Sequence, residues 1–360
     1  MRPRFKHGRH DELETLHPAY FALVMATGIV ALAAHMHGVA VVPEVLFWLN
    51  VLFFAGLMIA MGARIVRHSG AFVADVRSHS RGVGFFTIVA AFGVFGSQLV
   101  LQMDAVGLAV FFWIATAVLW FVVTYGVLSV LTVRPDKPSL ADGLNGGWLV
   151  SAVATQSVSI LTVLLLPSGV PADLQKSLMF AALVLWLGGG VLYLWLMTLI
   201  FFRYTFVKMS TEDLTPPYWI NMGAAAISTL AGAMLLEHSA LSPVVTELRP
   251  FVEGLTLFFW AVGSWWIPML LILGVWRYLV CGVPFSYDPL YWGGVFPLGM
   301  YSVCTQHLTV IFDAPFLMPL SSAFMIIAIA AWMATFVGLV DSHLNAKSRA
   351  HSLSEPDAAG

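Results

Sequence analysis

The sequence predicts an all-α polytopic membrane protein: ten transmembrane helices, arranged as five helical hairpins around a central axis. Three observations carry this prediction. The first is composition. Of 360 residues, 59% are apolar and 10% charged, and mean hydropathy is +0.87, whereas soluble domains are roughly a quarter charged. The second is the presence of runs long enough to cross a bilayer, whose apolar core of about 30 Å takes roughly 20 helical residues. The third is the near-constant spacing of alternate runs. A net charge of −2 offers no basic face to nucleic acid. Two cysteines, Cys281 and Cys304, exclude a disulfide framework and a cysteine-built zinc site.

In chain order the runs are 19–38, 43–65, 82–102, 105–132, 147–167, 174–202, 218–239, 251–280, 290–312 and 316–340. Several even-numbered runs exceed the required length, which implies tilt or extension past the membrane. None alternates as barrel strands do. Ala31-Leu32-Ala33 resembles a signal-peptide cleavage site, but the apolar stretch from Ala19 is longer than the roughly 7–15 residues of such a segment, so span 1 reads as a helix that stays.

Basic residues set the expected orientation. Arg2, Arg4, Lys6 and Arg9 precede span 1. Arg64, Arg67, Arg77 and Arg81 follow span 2, Arg134 and Lys137 span 4, and Arg203 and Lys208 span 6. Arg277 ends span 8, and Lys347 and Arg349 lie in the tail. The opposite loops hold Lys176 and Arg249, so fifteen of the seventeen basic residues share one side. The positive-inside rule makes that side cytoplasmic, with both termini there and the chain in the inner (plasma) membrane. The organisation expected is a cytoplasmic arm over 1–17, a membrane domain over 18–341 and a disordered cytoplasmic tail over 342–360.

The odd spans begin near residues 18, 82, 147, 217 and 289, at intervals of 64, 65, 70 and 72, the mark of a repeated hairpin. Four of them open alike, HPAYFALVMATG, NGGWLVSAVATQ, PPYWINMGAAAI and DPLYWGGVFPLG, with RGVGFFTIVAAFG of span 3 a looser match. Ten of the thirteen tryptophans lie on even spans, while Trp148, Trp219 and Trp292 open spans 5, 7 and 9. Odd spans collect glycine, serine and threonine, which permit close helix approach or leave room for a passage. The architecture expected is an inner ring of odd helices inside an outer ring of even ones, whose aromatics face lipid or a neighbouring subunit.

No Asp, Glu, Lys or Arg lies near the middle of a span, which argues against the buried charge relays of pumps and leaves a neutral passage. Phe296-Pro297 stands out in span 9. Proline removes a ladder bond and bends the helix, and Phe296 lies about 12 Å in, at 1.5 Å per residue, where an aromatic closes a narrow bore or simply packs in the core. Thr27, Gly28, Gly93, Thr155, Gln156, Gly299, Gln306 and His307 are the candidate pore-lining residues. Gln98, Asn221 and the other membrane-depth amides either line the pore or bond between helices. His35, His37, His238 and His307 approach the external ends of spans 1, 7 and 9, as pH-sensing groups or interface anchors. Arg64, Arg67, Arg77, Arg81 and Arg203 either concentrate anions at the cytoplasmic mouth or express the positive-inside bias alone.

YWGGVFPLGMYSV in span 9 and HPAYFALVMATGIVALAAH in span 1 resemble the tellurite-resistance/dicarboxylate transporter family, which includes the bacterial tellurite-resistance channel, plant slow anion channels and fungal malate and sulfite transporters. The resemblance covers about residues 16–341. It implies ten helices in five hairpins, a central pore in each protomer, a homotrimer in the lipid bilayer, and a pore-occluding phenylalanine at Phe296. The function expected is passage of anions, small inorganic ions or C4-dicarboxylates such as malate, through a pore gated by Phe296. The alternative is a proton-coupled dicarboxylate or sulfite carrier. No cofactor or metal is expected, and no enzyme: neither a His-Glu-x-x-His motif nor paired intramembrane aspartates are present, and Cys304 with His307 lacks a further catalytic partner.

Overall fold

The computed structural model describes residues 12–168, 170–284 and 286–352. Its long helices are α1 (Ala22–Met36), α2 (Val42–Arg67), α3 (Phe86–Leu101), α4 (Val106–Val133), α5 (Val150–Leu165), α6 (Ala172–Phe206), α7 (Ile220–Glu237), α8 (Arg249–Val275), α9 (Trp292–Ile311) and α10 (Met318–Ser352). No strand occurs among the described residues. Nine of these segments are long and apolar enough to cross a membrane. The remaining one, α9, has spanning length at 20 residues, but Gln306, His307, Pro297 and its glycines lower its hydropathy. At 35 residues, α6 measures about 52 Å, well beyond a bilayer core. α10 continues to Ser352, into the segment read from sequence as a disordered tail; the arm up to residue 11 and residues 353–360 lie outside the described residues.

Inner and outer rings are distinct. The membrane-spanning windows of α1, α3, α5 and α7 are 78–94% buried within the fold, against 17–39% for the even helices. α9 is likewise buried along most of its length. α1 packs on α3, α3 on α5, α5 on α7, α7 on α9, and α9 returns to α1, which closes the ring. Each outer helix lies on its own hairpin partner and on a second inner helix: α4 on α3 and α5, α6 on α5 and α7, α10 on α9 and α1.

The repeated openings seen in the sequence are 3₁₀ turns. Pro18–Phe21, Gly82–Phe85, Gly146–Leu149, Pro216–Trp219 and Pro289–Tyr291 each lead into an inner helix. Proline fits the first position of such a turn because its missing N–H has no partner there in any case. Side chains cap three of the turns: His17 Nδ1 accepts from the Ala19 N–H at 3.0 Å, Asn145 from Gly147 at 2.8 Å, and Asp288 from Leu290 at 2.8 Å. Each turn touches the next and the last touches the first, so all five inner helices start at one end of the molecule. Gly146 sits where this collar is tightest, since a Cβ there would lie 2.3 Å from the Pro217 carbonyl oxygen.

The tryptophans correct one expectation. Trp48, Trp195 and Trp265 do face outward, but five others turn inward and donate their indole N–H to inner helices. Trp113 bonds Thr162 at 2.8 Å, Trp120 bonds Thr155 at 2.9 Å, Trp260 bonds Thr305 at 3.0 Å and Trp332 bonds Thr27 at 2.9 Å. Trp186 reaches the Ser228 carbonyl at 2.8 Å. An indole N–H left unpaired away from water is costly, and a threonine can accept it while donating its own proton four residues back, as Thr155 does to Ser151. Hydroxyls on odd helices and tryptophans on even ones are therefore two halves of one contact between the rings.

Candidate functional site

Cavities occur at both ends of the inner ring, and each is lined by all five odd helices or their leading turns. The proximal one, where the inner helices begin, has a volume of about 430 Å³ and is walled by Ala22, Thr87, Val150, Ile220 and Gly293 with polar groups at its rim. The distal one has a volume of about 340 Å³ and is walled by Ile29, Gly93, Ser157, Ile227 and Met300. Between them lies a pocket of about 20 Å³, bounded by Met25, Val153, Phe296 and the deepest residues of the proximal cavity. That is space for about one water. From Met25, Val153 and Phe296 to Ile29, Ser157 and Met300 is one helical turn on each of three helices, and the residues at both levels are buried.

Phe296 is 1% exposed. Its position follows from the backbone of α9. Pro297, inside the helix, has no N–H for the Gly293 carbonyl, so one ladder bond is missing here. Its ring nests against Gly223 of α7, where a Cβ would come within 2.6 Å of the Pro297 Cγ. Gly223 thus lets α7 and α9 meet at the proline, and Phe296 directly precedes it with its side chain on the axial pocket.

Of the eight residues read from sequence as pore-lining, Gly93 and His307 line the distal cavity. The other six lie between helices. Thr27 and Thr155 accept from Trp332 and Trp120. A Cβ on Gly28 would meet Val94, Gln98 and Asn50, and one on Gly299 would meet Ile29 and Val30. Gln156 donates to the Trp186 carbonyl at 3.1 Å and to Ser228 Oγ at 3.2 Å, and Gln306 to the Met36 carbonyl at 3.0 Å. Membrane-depth amides follow the same rule. Asn50 donates to Gln98 at 2.6 Å and Gln98 to Gln102 at 2.9 Å, while Asn221 donates to the Tyr204 hydroxyl at 3.0 Å. The walls of the distal cavity are aliphatic side chains, methionines and small residues, with His35, Glu237, His238 and His307 at its rim. His37 turns away, its ring bonded to the Ala33 carbonyl and Ser321 Oγ.

The proximal rim is charged. Arg81 and Arg203 line it together with Asp142, Glu212 and Asp213, and each arginine is steadied by a carboxylate. Arg203 Nη2 donates to Asp213 Oδ1 at 2.9 Å, and Ser210 donates to the other oxygen of Asp213 through its N–H and hydroxyl at 2.7 and 2.8 Å. These Ser210 bonds, more than the arginine, hold the Asp213 carboxyl below its ordinary range. Arg81 and the fully buried Arg64 share Asp75, at 2.5 Å (Nε to Oδ1) and 2.7 Å (Nη2 to Oδ2). Burial alone raises the Asp75 carboxyl; hydrogen bonds from Arg81 and Arg64 outweigh it and hold the group below its ordinary value. The sequence marked these arginines but not Asp75, although it is the one acid among the basic residues from Arg64 to Arg81. Arg67 and Arg77, also marked, are not on the cavity wall.

His17 lines the same cavity. Burial, and then the charge of Arg81, lowers its pKa to about 4, which keeps the ring neutral and free to cap the first 3₁₀ turn. Because the folded value lies below the unfolded one, stability is complete above about pH 6.5 and falls as pH drops toward 4. Asparagine in this position retains a capping oxygen and has no proton to gain. Thermal unfolding in detergent is expected to show wild-type stability declining over this window, with the decline shallower in His17→Asn. Parallel curves would exclude His17 as the source.

A family model described as voltage-dependent anion channel matches residues 15–340. Two uncharacterized transporters of Methanocaldococcus jannaschii are similar over most of the chain. One is 24% identical over 307 residues, 83% of this chain and 86% of its own length; the other is 26% identical over 311 residues, 83% and 84%. An uncharacterized membrane protein of Mycobacterium tuberculosis strain H37Rv is 37% identical over 149 residues, 41% of this chain and 75% of its own length.

Proposed function

This chain belongs to the voltage-dependent anion channel (SLAC1) family, and on that premise we propose that it passes small inorganic anions or C4-dicarboxylates such as malate along the axis of the inner ring, with Phe296 as the closure. The observation that carries this reading is the pair of axial cavities, each walled by the whole inner ring and divided by one buried turn at Phe296. Two features favour anions over cations. All five inner helices begin at the proximal cavity, so the positive ends of their dipoles converge there. The narrow stretch holds no carboxylate that would bind a cation or oppose an anion. Multi-pass insertion in the plasma membrane with cytoplasmic termini, and assembly as a homotrimer, complete the proposal. The proximal cavity would then face the cytoplasm.

Currents across a planar bilayer under a salt gradient test this reading. The reversal potential is expected to follow the anion gradient, and to shift when chloride is replaced by nitrate, sulfite or malate. A potential that follows the cation gradient would overturn it. The second reading, a proton-coupled carrier, is favoured by the protonatable pair His307–Glu237 at the distal rim. It requires saturable flux and uphill accumulation of substrate driven by a pH gradient.

A further inference from the structure

The distal cavity brings three imidazoles and one carboxylate together where an anion arriving from that side first meets the protein. His307 on α9 and Glu237 on α7 are paired at 2.6 Å, Nδ1 to Oε1, with side chains 17% and 26% exposed. His35 and His238 share the cavity wall, and His238 directs its Nδ1 to the Met234 carbonyl at 3.0 Å. All five inner helices end at this side, and their terminal carbonyls carry partial negative charge. With the imidazoles neutral, the mouth presents Glu237 and those carbonyls, and an anion is repelled. With them protonated, Glu237 is neutralised by His307, and His35 and His238 add positive charge to a volume of about 340 Å³. That volume is at the lower end of the roughly 300–1,000 Å³ of small-molecule sites.

We propose that the distal cavity is a proton-dependent binding site for small anions, carboxylates included, in which His307 masks Glu237 while His35 and His238 hold the anion. The proposal deepens the anion-pathway reading and, for its effect on current, rests on it. Few other charges bear on the site. On α1, His37 is turned to Ala33 and Ser321. At the start of α8, Arg249 is paired with Glu253 at 2.8 Å and also donates to the Leu236 carbonyl and Ser239 Oγ at 3.4 and 3.2 Å, a fixed positive charge at the end of α7 that is the same at every pH tested. Asp104 and Asp313 sit in the turns after α3 and α9, off the cavity wall, and α10 contributes the Ser321 hydroxyl.

The current is best measured in Phe296→Ala, where the closure no longer limits it. Lowering the pH on the distal side from about 8 to about 5.5 is expected to raise chloride current roughly tenfold. Glu237→Gln raises the current at about pH 8 and flattens the profile. His307→Gln leaves Glu237 bare under acid conditions as well and lowers the current at about pH 5.5, where Glu237→Gln does not. Opposite effects from two partners of one contact are the signature of electrostatics, since loss of a merely structural bond moves both variants the same way. Changes of the same sign, or a current indifferent to distal pH, would overturn the proposal. Binding is read independently by NMR of ¹⁵N-histidine-labelled wild-type protein in detergent. Added malate is expected to move the His35 and His238 titrations to higher pH, and titrations unmoved by malate would exclude the site. A malate-dependent shift in a protein that carries no current would sink the pathway reading and leave the binding site standing.

Discussion

Replacing Phe296 by alanine is expected to raise anion conductance in reconstituted bilayers by one to two orders of magnitude. Each 1.4 kcal/mol taken off a barrier multiplies a rate by about ten. On the proposed reading the barrier is the removal of water from an ion at a turn that holds a pocket of about 20 Å³. Truncation at Cβ joins that pocket to the proximal cavity and opens the path toward Ile29, Ser157 and Met300 beyond it. Truncating a core phenylalanine ordinarily costs about 3–5 kcal/mol. The vacated volume here adjoins the walls of the proximal cavity, which places the loss at the low end. Phe296→Leu keeps most of the bulk and is expected to conduct far less than the alanine variant. Unchanged conductance in a folded alanine variant would remove Phe296 from the role of closure and place the barrier elsewhere on the axis.

The second large effect concerns stability. Asp75→Ala is expected to cost about 3–5 kcal/mol, the range for removing one partner of a buried ion pair. Arg64 is 1% exposed, and Asp75 is the acid bonded to it. Arg64 Nε and Nη1 already lack partners, so the group tolerates no further loss. The damage should extend beyond the α2–α3 connection. Arg64 also bonds the Glu14 carbonyl at 3.1 Å, and Arg81 bonds those of Thr15 and Leu16 at 3.4 and 3.5 Å. These contacts tie the short helix Glu12–Thr15 and Leu16, just ahead of the first 3₁₀ turn, to α2 and to the start of the second turn. Thermal unfolding should begin at lower temperature, and limited proteolysis should cut near residues 12–16 first. Adding Arg64→Met in the same chain is expected to recover part of the loss, because an apolar pair leaves no bare charge. An alanine variant as stable as the parent would show the cluster to be solvated.

The two rings were legible in the sequence because packing leaves a compositional trace that survives without coordinates. Glycine and serine on odd spans, and tryptophan on even ones, record which helices have neighbours on all sides. The repeated openings were legible as a shared pattern at His17-Pro18, Asn145-Gly146, Pro216-Pro217 and Asp288-Pro289, though not as 3₁₀ turns with their caps. The face of each inner helix was not legible. On a helix buried all round, apolar periodicity names no side, and Thr155 reads the same whether it meets an anion or an indole. That is why Thr27, Thr155 and Gln156 were read toward the axis when they serve the outer ring. The partners of Glu237 and Asp75 were hidden for another reason. Their contacts join residues distant in the chain or across a connecting loop, and a span count does not place those side by side.

The collar of five 3₁₀ turns has a consequence for how such a molecule can move. Transporters that alternate between two openings are commonly built from halves in opposite orientation, so that each half can adopt the shape of the other and exchange which side is exposed. Here the repeated unit is copied five times in the same orientation, and every inner helix starts at the collar. No operation that superposes one hairpin on the next exchanges the two ends of the axis. A rocking motion that makes the proximal side resemble the distal one has no symmetric counterpart to arrive at. On the proposed anion-pathway reading, opening is then a local event at Phe296 of α9; the electrochemical gradient sets the net direction of travel, and the unlike chemistry of the two mouths sets which ions enter readily from each side.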